Sequence, residues 1–315
     1  TGDPAYAAAR GPLAQEMGGT KLNGIFPLHP SLAASATLYA AKQAHFAHAV
    51  ATAYRDRSHF DGQNVLEAGG SRPYEYRDGW IGRLLTLLPP SERNSLAIAP
   101  AVPLALRGSE PVGTYATNHL PPADTDLIAR LTALYANDPL LHPLWSSAVK
   151  TQELAKDVGG NEGRNGADLG KLAASLMRPA DGARVMMIET GGWDTHSGQR
   201  GRLTAQLRGL DQLVGALQVG LGPAWNDTLV VVATEFGRTV AVNGTGGTDH
   251  GTGRTRFPAY ASPARTEPAG GGVARCAPRR ARGHGVRLRG RWPAAWAARG
   301  RTIVAAAAWL FAIAC

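Results

Sequence analysis

Cysteine is almost missing from this chain of 315 residues: Cys276 and Cys315 are the whole complement, and both lie near the C-terminus. A disulfide framework and a zinc-ribbon spacing are thereby excluded, and the cysteine-free body is compatible with either redox compartment. Long apolar runs are lacking as well. The closing stretch Thr302 to Cys315 is apolar for only 14 residues, short of the ~20 that cross a bilayer, so no membrane span is expected. No initiator Met and no leader precede Gly2-Asp-Pro-Ala-Tyr6, and the expectation is a chain already under way. Most of the chain also lacks the positive charge that its total suggests. The formal charge is +9, but residues 254–315 hold twelve Arg against one acid, Glu267, which leaves −2 for the rest.

What is present is globular in composition, with 44% hydrophobic and 18% charged residues, enough to bury one large core or two smaller ones. The basic tail, rich in Arg, Ala, Gly and Pro, shows no helical or strand periodicity before about residue 302. Two origins fit it: a disordered arm for nucleic acid or anionic membrane, or a shifted reading frame near Arg254 in a gene rich in guanine and cytosine. The shifted frame is the preferred reading, and no nucleic-acid partner is expected. The domain division is therefore 1–253 and 254–315.

Within the body, apolar runs alternate with helical patterns, which is an α/β layer architecture. Leu229 to Ala233 reads as a strand covered on both faces, and Val185 to Ile188 as another. Phe46 to Val50 reads as a short strand. Leu96 to Leu106, broken by Pro100 and Pro103, reads as an edge or irregular strand. Helical spacing is expected over Asp124–Tyr135, Trp145–Val158, Asp168–Met177 and Arg202–Leu217. A further helix begins near Ser58 and stops near Gly69. Gly159 to Gly163 has no preceding strand and no Lys-Ser/Thr, so a phosphate cradle is a weak reading.

Chemistry concentrates at two strand ends, where the backbone leaves the packed layers. One delivers Glu189-Thr-Gly-Gly-Trp-Asp194-Thr-His196; the other delivers Glu235, then the glycine-rich turn and Asp249-His250. Carboxylates mixed with imidazoles suit zinc, manganese, magnesium or calcium better than a soft metal. The simpler alternatives are a helix cap for Glu235 and an Asx turn for Asp249. Ser58, with Asp61 three residues on, reads first as an N-cap. His29, His45, His48, His119 and His142, beside Pro or apolar neighbours, read as core or surface residues.

Gly2-Asp-Pro-Ala-Tyr6, Leu28-His-Pro-Ser-Leu32, Arg57-Ser-His-Phe-Asp61, Gly79-Trp-Ile-Gly-Arg83, Gly191-Gly-Trp-Asp-Thr-His196, Glu235-Phe-Gly-Arg-Thr239 and Gly247-Thr-Asp-His-Gly251 together resemble the bacterial sulfatase-like family of domain of unknown function 1501. That family is similar to the alkaline phosphatase superfamily. The resemblance implies a three-layer α/β sandwich with a mostly parallel sheet, incomplete here at both ends, and hydrolysis of a small-molecule or polymer phosphate or sulfate ester. It implies Ser58 as nucleophile, Arg57 or Arg238 as a grip on substrate oxygens, and His59 as proton carrier or further ligand. It implies a divalent metal held among Asp194, His196, Glu235, Asp249 and His250. Phe236 stands where the superfamily has a ligating His. The resemblance also implies export, to the periplasm or beyond. With the opening strand expected upstream of Thr1, the chain reads as an inactive fragment, or alternatively as a non-catalytic exported protein that keeps the fold for binding or structure.

Overall fold

The structure, a computed structural model, describes residues 4–15, 19–22, 26–47, 51–116, 124–156, 165–251, 259–261 and 302–308. Its helices are α1 (Pro4–Arg10), α2 (Ala33–Ala40), α3 (His59–Ala68), α4 (Trp80–Leu85), α5 (Thr125–Tyr135), α6 (Leu141–Lys156), α7 (Gly166–Met177) and α8 (Gln199–Leu221). Its strands are β1 (Ser95–Ile98), β2 (Gly113–Thr114), β3 (Val185–Thr190), β4 (Thr228–Ala233), β5 (Gly237–Arg238), β6 (His250–Gly251), β7 (Ala259–Ala261) and β8 (Thr302–Ala308). Six strands form one sheet in the order β2-β1-β3-β8-β4-β7. All its pairings are parallel except that of β7 on β4, so the protein is α/β with a mostly parallel sheet.

Alternation along the strands explains why helices cover both faces. Leu96, Ile98, Met186, Ile188, Val230 and Val232 join Leu172 and Leu176 of α7 and Leu213, Val214 and Leu217 of α8 in one cluster. Ala97, Val185 and Met187 point the other way, onto Ile81 and Leu85 of α4 and onto Leu106. Each buried leucine contributes roughly 2 kcal/mol by leaving water. The α8 stripe expected from spacing (Leu203, Leu207, Leu210, Val214, Leu217) is buried throughout. Close approach of α7 and α8 depends on a missing side chain: a Cβ on Gly170 would lie 2.3 Å from the Leu213 carbonyl oxygen.

Asp211, buried on α8, accepts hydrogen bonds from the Ala34 and Ser35 backbone N–H groups, each at 2.8 Å, and from the Ser35 hydroxyl at 2.7 Å. The residue preceding α2, Leu32, offers no side-chain cap. A carboxylate from a distant helix therefore satisfies the orphan donors of α2 and ties the N-terminal region to the core.

Several expectations need correction. β1 is internal, paired with β2 on one side and β3 on the other; Pro100 and Pro103 follow its last residue and cost no ladder bond. The stripe Leu127, Ile128, Leu131, Leu134 and Tyr135 is helical in α5, yet none of it is buried; the main partner of α5 among the described elements is α6. Along β4, Leu229, Val231 and Ala233 are half-buried while Val230 and Val232 are buried, so one face is covered more completely than the other. Ala44 and Ala47 make isolated bridges, and the described part of Phe46–Val50 holds no strand. Residues 48–50 lie outside the described residues, as do His119 and the Gly159–Gly163 loop. Of residues 254–315, only the strands β7 and β8 are described. No described helix is long and apolar enough to cross a membrane.

Candidate metal centre

The sheet brings its reactive loops to one end. Asp194 and His196 follow β3, Glu235 follows β4, and the short antiparallel pair β5/β6 sets His250 opposite Arg238. The loop after β3 and the loop before β6 are stitched together along their backbones: Gly198 N–H donates to Thr245 O at 3.2 Å, and Gln199 N–H to Gly246 O at 3.0 Å. Gly247 lies so near the His196 main chain that a Cβ there would be 2.2 Å from its carbonyl. Only glycine fits that approach.

Asp194, His196 and His250 converge, each presenting a donor atom within 4.8 Å of the other two. Asp194 Oδ1 lies 2.9 Å from His250 Nε2 and 3.0 Å from His196 Nε2, and the two Nε2 atoms are 3.2 Å apart. Ligands around tetrahedral zinc, with bonds of about 2.0–2.1 Å, stand about 3.3 Å from one another, so the donor set and its spacing fit a divalent cation.

The outer contacts of the two rings sharpen that fit. His250 Nδ1 is 3.0 Å from the Arg57 carbonyl oxygen, and His196 Nδ1 is 3.2 Å from Asp249 Oδ1. A carbonyl and a carboxylate only accept, so on this side each ring is placed to donate from Nδ1. In the neutral rings, both Nε2 lone pairs then face each other and a carboxylate oxygen. Three electron-rich atoms so close require positive charge among them: ring protons in acid, or a cation. Arrangements in which a carboxylate or carbonyl takes the far N–H of a ligating imidazole are the usual second layer of metal sites.

Arg238 supplies part of that charge. Its side chain is 1% exposed and pairs with Asp194 Oδ1, and it also donates to the Thr248 and Trp193 carbonyls. Burial pulls its guanidinium down to about 10, against the opposing charges of Asp194, Asp249 and Glu235. Burial acts to raise the Asp194 carboxyl, but His250, which donates to it from Nε2 once its ring is charged, and the Arg238 charge outweigh it, and the result is lowered. Asp249 is lowered by hydrogen bonds from Asn243 and His196.

The other expected residues surround this triangle. Glu235 is buried at the end of β4, outside the group of three. Asp249 touches His196 from behind and not the convergence point. Arg57 contributes its backbone carbonyl, with its side chain exposed. Ser58 is the N-cap of α3, its oxygen accepting from the Asp61 N–H at 3.3 Å. His59, next in the chain, stacks edge-on to His250 with ring centroids 5.2 Å apart; burial first and His250 second push its imidazole down. Phe236 packs against His250 at 4.6 Å between centroids. Arg238 is an internal tether and does not reach outward for substrate.

Sequence reasoning missed Asn243, which bonds to both the His196 carbonyl and Asp249. The Asn-Gly pair signalled only a turn.

The family model described as "Protein of unknown function (DUF1501)" matches residues 29–259. No curated protein and no solved structure matches the chain.

Proposed function

The chain belongs to the DUF1501 family, and from that premise we propose a metal-dependent hydrolase of phosphate or sulfate esters, related to the sulfatases and alkaline phosphatases. One observation carries the reading: two imidazole nitrogens and a carboxylate oxygen meet within 3.2 Å of one another. Asp194, His196 and His250 would hold the cation, and Asp249 and the Arg57 carbonyl keep the rings oriented. A bound divalent ion would polarise the ester and acidify a nucleophile, an effect worth several kcal/mol. His59, kept neutral by burial beside His250, is suited to accept a proton from an attacking hydroxyl or water. Ser58, next to His59 in the chain and at the start of α3, would supply the attacking hydroxyl, and the positive end of the helix dipole favours anionic oxygens there. Export is part of the same proposal and rests on family resemblance alone.

A second reading is favoured by Arg238, whose cation already sits on Asp194. In it, the cluster is a non-catalytic clasp that joins the loops after β3 and β4. A panel of aryl phosphates and aryl sulfates, assayed after chelation and again with zinc, manganese or calcium, separates the two. The hydrolase reading expects turnover restored by one of these metals and reduced about 100-fold or more in His250→Ala, since 1.4 kcal/mol is tenfold in rate. Absence of turnover across the panel from a chain that has bound metal would leave the clasp.

A further inference from the structure

The loop 243–249 is organised by one side chain. Asn243 donates from Nδ2 to the His196 carbonyl at 2.9 Å and to Asp249 Oδ1 at 3.1 Å, while its Oδ1 accepts from the Thr245 N–H at 3.1 Å and the Gly247 N–H at 2.9 Å. With the amide reversed, oxygen would face two acceptors and nitrogen two donors, so this orientation alone satisfies the partners. The two halves of the amide do different work. The accepting half makes the turn, which Asp makes equally well. The donating half is unnecessary for a turn, and both of its bonds lead to His196: one to its main chain, the other to the carboxylate that takes its Nδ1 proton at 3.2 Å. Thr245 adds a hydroxyl bond to the same His196 carbonyl at 2.6 Å.

We infer that Asn243 is a positioning residue: by clamping Asp249 to the His196 main chain, it holds that imidazole with Nδ1 protonated and Nε2 open. Its consequence for metal affinity rests on the reading of Asp194, His196 and His250 as ligands; the tautomer does not. Asn243→Asp is the informative variant. It keeps the accepting oxygen, removes both donations, and sets a carboxylate beside that of Asp249.

Histidine-labelled full-length chain, free of metal and slightly above neutral pH, gives the tautomer by ring nitrogen–proton correlation spectra. The wild type is expected to show His196 protonated at Nδ1, and Asn243→Asp a mixture of tautomers. Zinc affinity is expected to fall 10- to 100-fold, as when other outer partners of metal ligands are lost. Slow hydrogen exchange of the Asn243 side-chain amide in the wild type is a second readout that needs no variant. A His196 that stays protonated at Nδ1 in a folded variant with undiminished zinc affinity overturns the inference, as does a wild-type amide that exchanges like that of a free asparagine. Should the variant not fold, the wild-type exchange decides. A wild type that takes up no zinc overturns the metal reading instead, and the two metal-free readouts still judge Asn243.

Discussion

Asp249 is more than half exposed, yet it accepts from both Asn243 and His196. Hydrogen bonds favour its charged form and hold the folded-state carboxyl below its ordinary value. A group depressed on folding contributes stability that is present above the unfolded-state value of about 3.9 and lost as pH falls through the folded one. Asp194 is lowered too and adds to the same trend. Urea unfolding followed between about pH 5 and 2 should therefore show stability falling with acid, and a shallower fall in Asp249→Asn. Identical slopes for both chains would mean that Asp249 has no such role. At this scale the sequence was informative wherever chemistry sits in side chains placed by strands: Asp194, His196 and His250 were legible because each stands just beyond or within a short apolar or glycine-flanked run. Arg57 was legible only as a residue, since its contribution passes through a backbone carbonyl that every residue owns. Asn243 was hidden for a related reason. A turn signal and a clamp look alike until the partners across 47 residues are known.

Elements behaved as their periodicities dictate where they meet the sheet. β3, β4, α3 with its left-handed Gly69 cap, α7 and α8 all stand where patterning put them. The exceptions concern neighbours, which patterning does not encode: α5 has the stripe of a buried helix but packs on α6 with none of it buried, and the prolines that argue for an edge strand lie past the end of β1. Gly170 tests the contact that anchors α8 and hence the loop carrying Asp194 and His196. Its replacement by Ala would drive a methyl against the Leu213 carbonyl, and overpacking of this kind costs about 1–3 kcal/mol. Denaturant unfolding should register that loss with the α-helical circular dichroism unchanged. A variant as stable as the wild type would show that the two helices are not so closely apposed.

For the molecule as a whole, the sheet depends on a strand from the far end of the chain. β8 pairs with β3 along one edge and β4 along the other, and so bridges the two strands whose loops form the candidate site. A chain ending at residue 301 would leave both edges open, with unpaired backbone groups and exposed apolar surface. It should bind a hydrophobic dye and lose cooperative unfolding. If residues 302–315 are instead the product of a shifted frame, their removal should leave the unfolding transition unchanged, and the genomic sequence around codon 254 should encode a strand in another frame.

The proposed cation site of Asp194, His196 and His250 is open to a direct count of bound metal. Equilibrium dialysis of the full chain against zinc, with metal counted by mass spectrometry, supplies that count. One zinc per wild-type chain is expected, with none retained by Asp194→Ala or His250→Ala variants whose circular dichroism matches the wild type. Equal zinc in all three chains, or none in the wild type, would rule the site out.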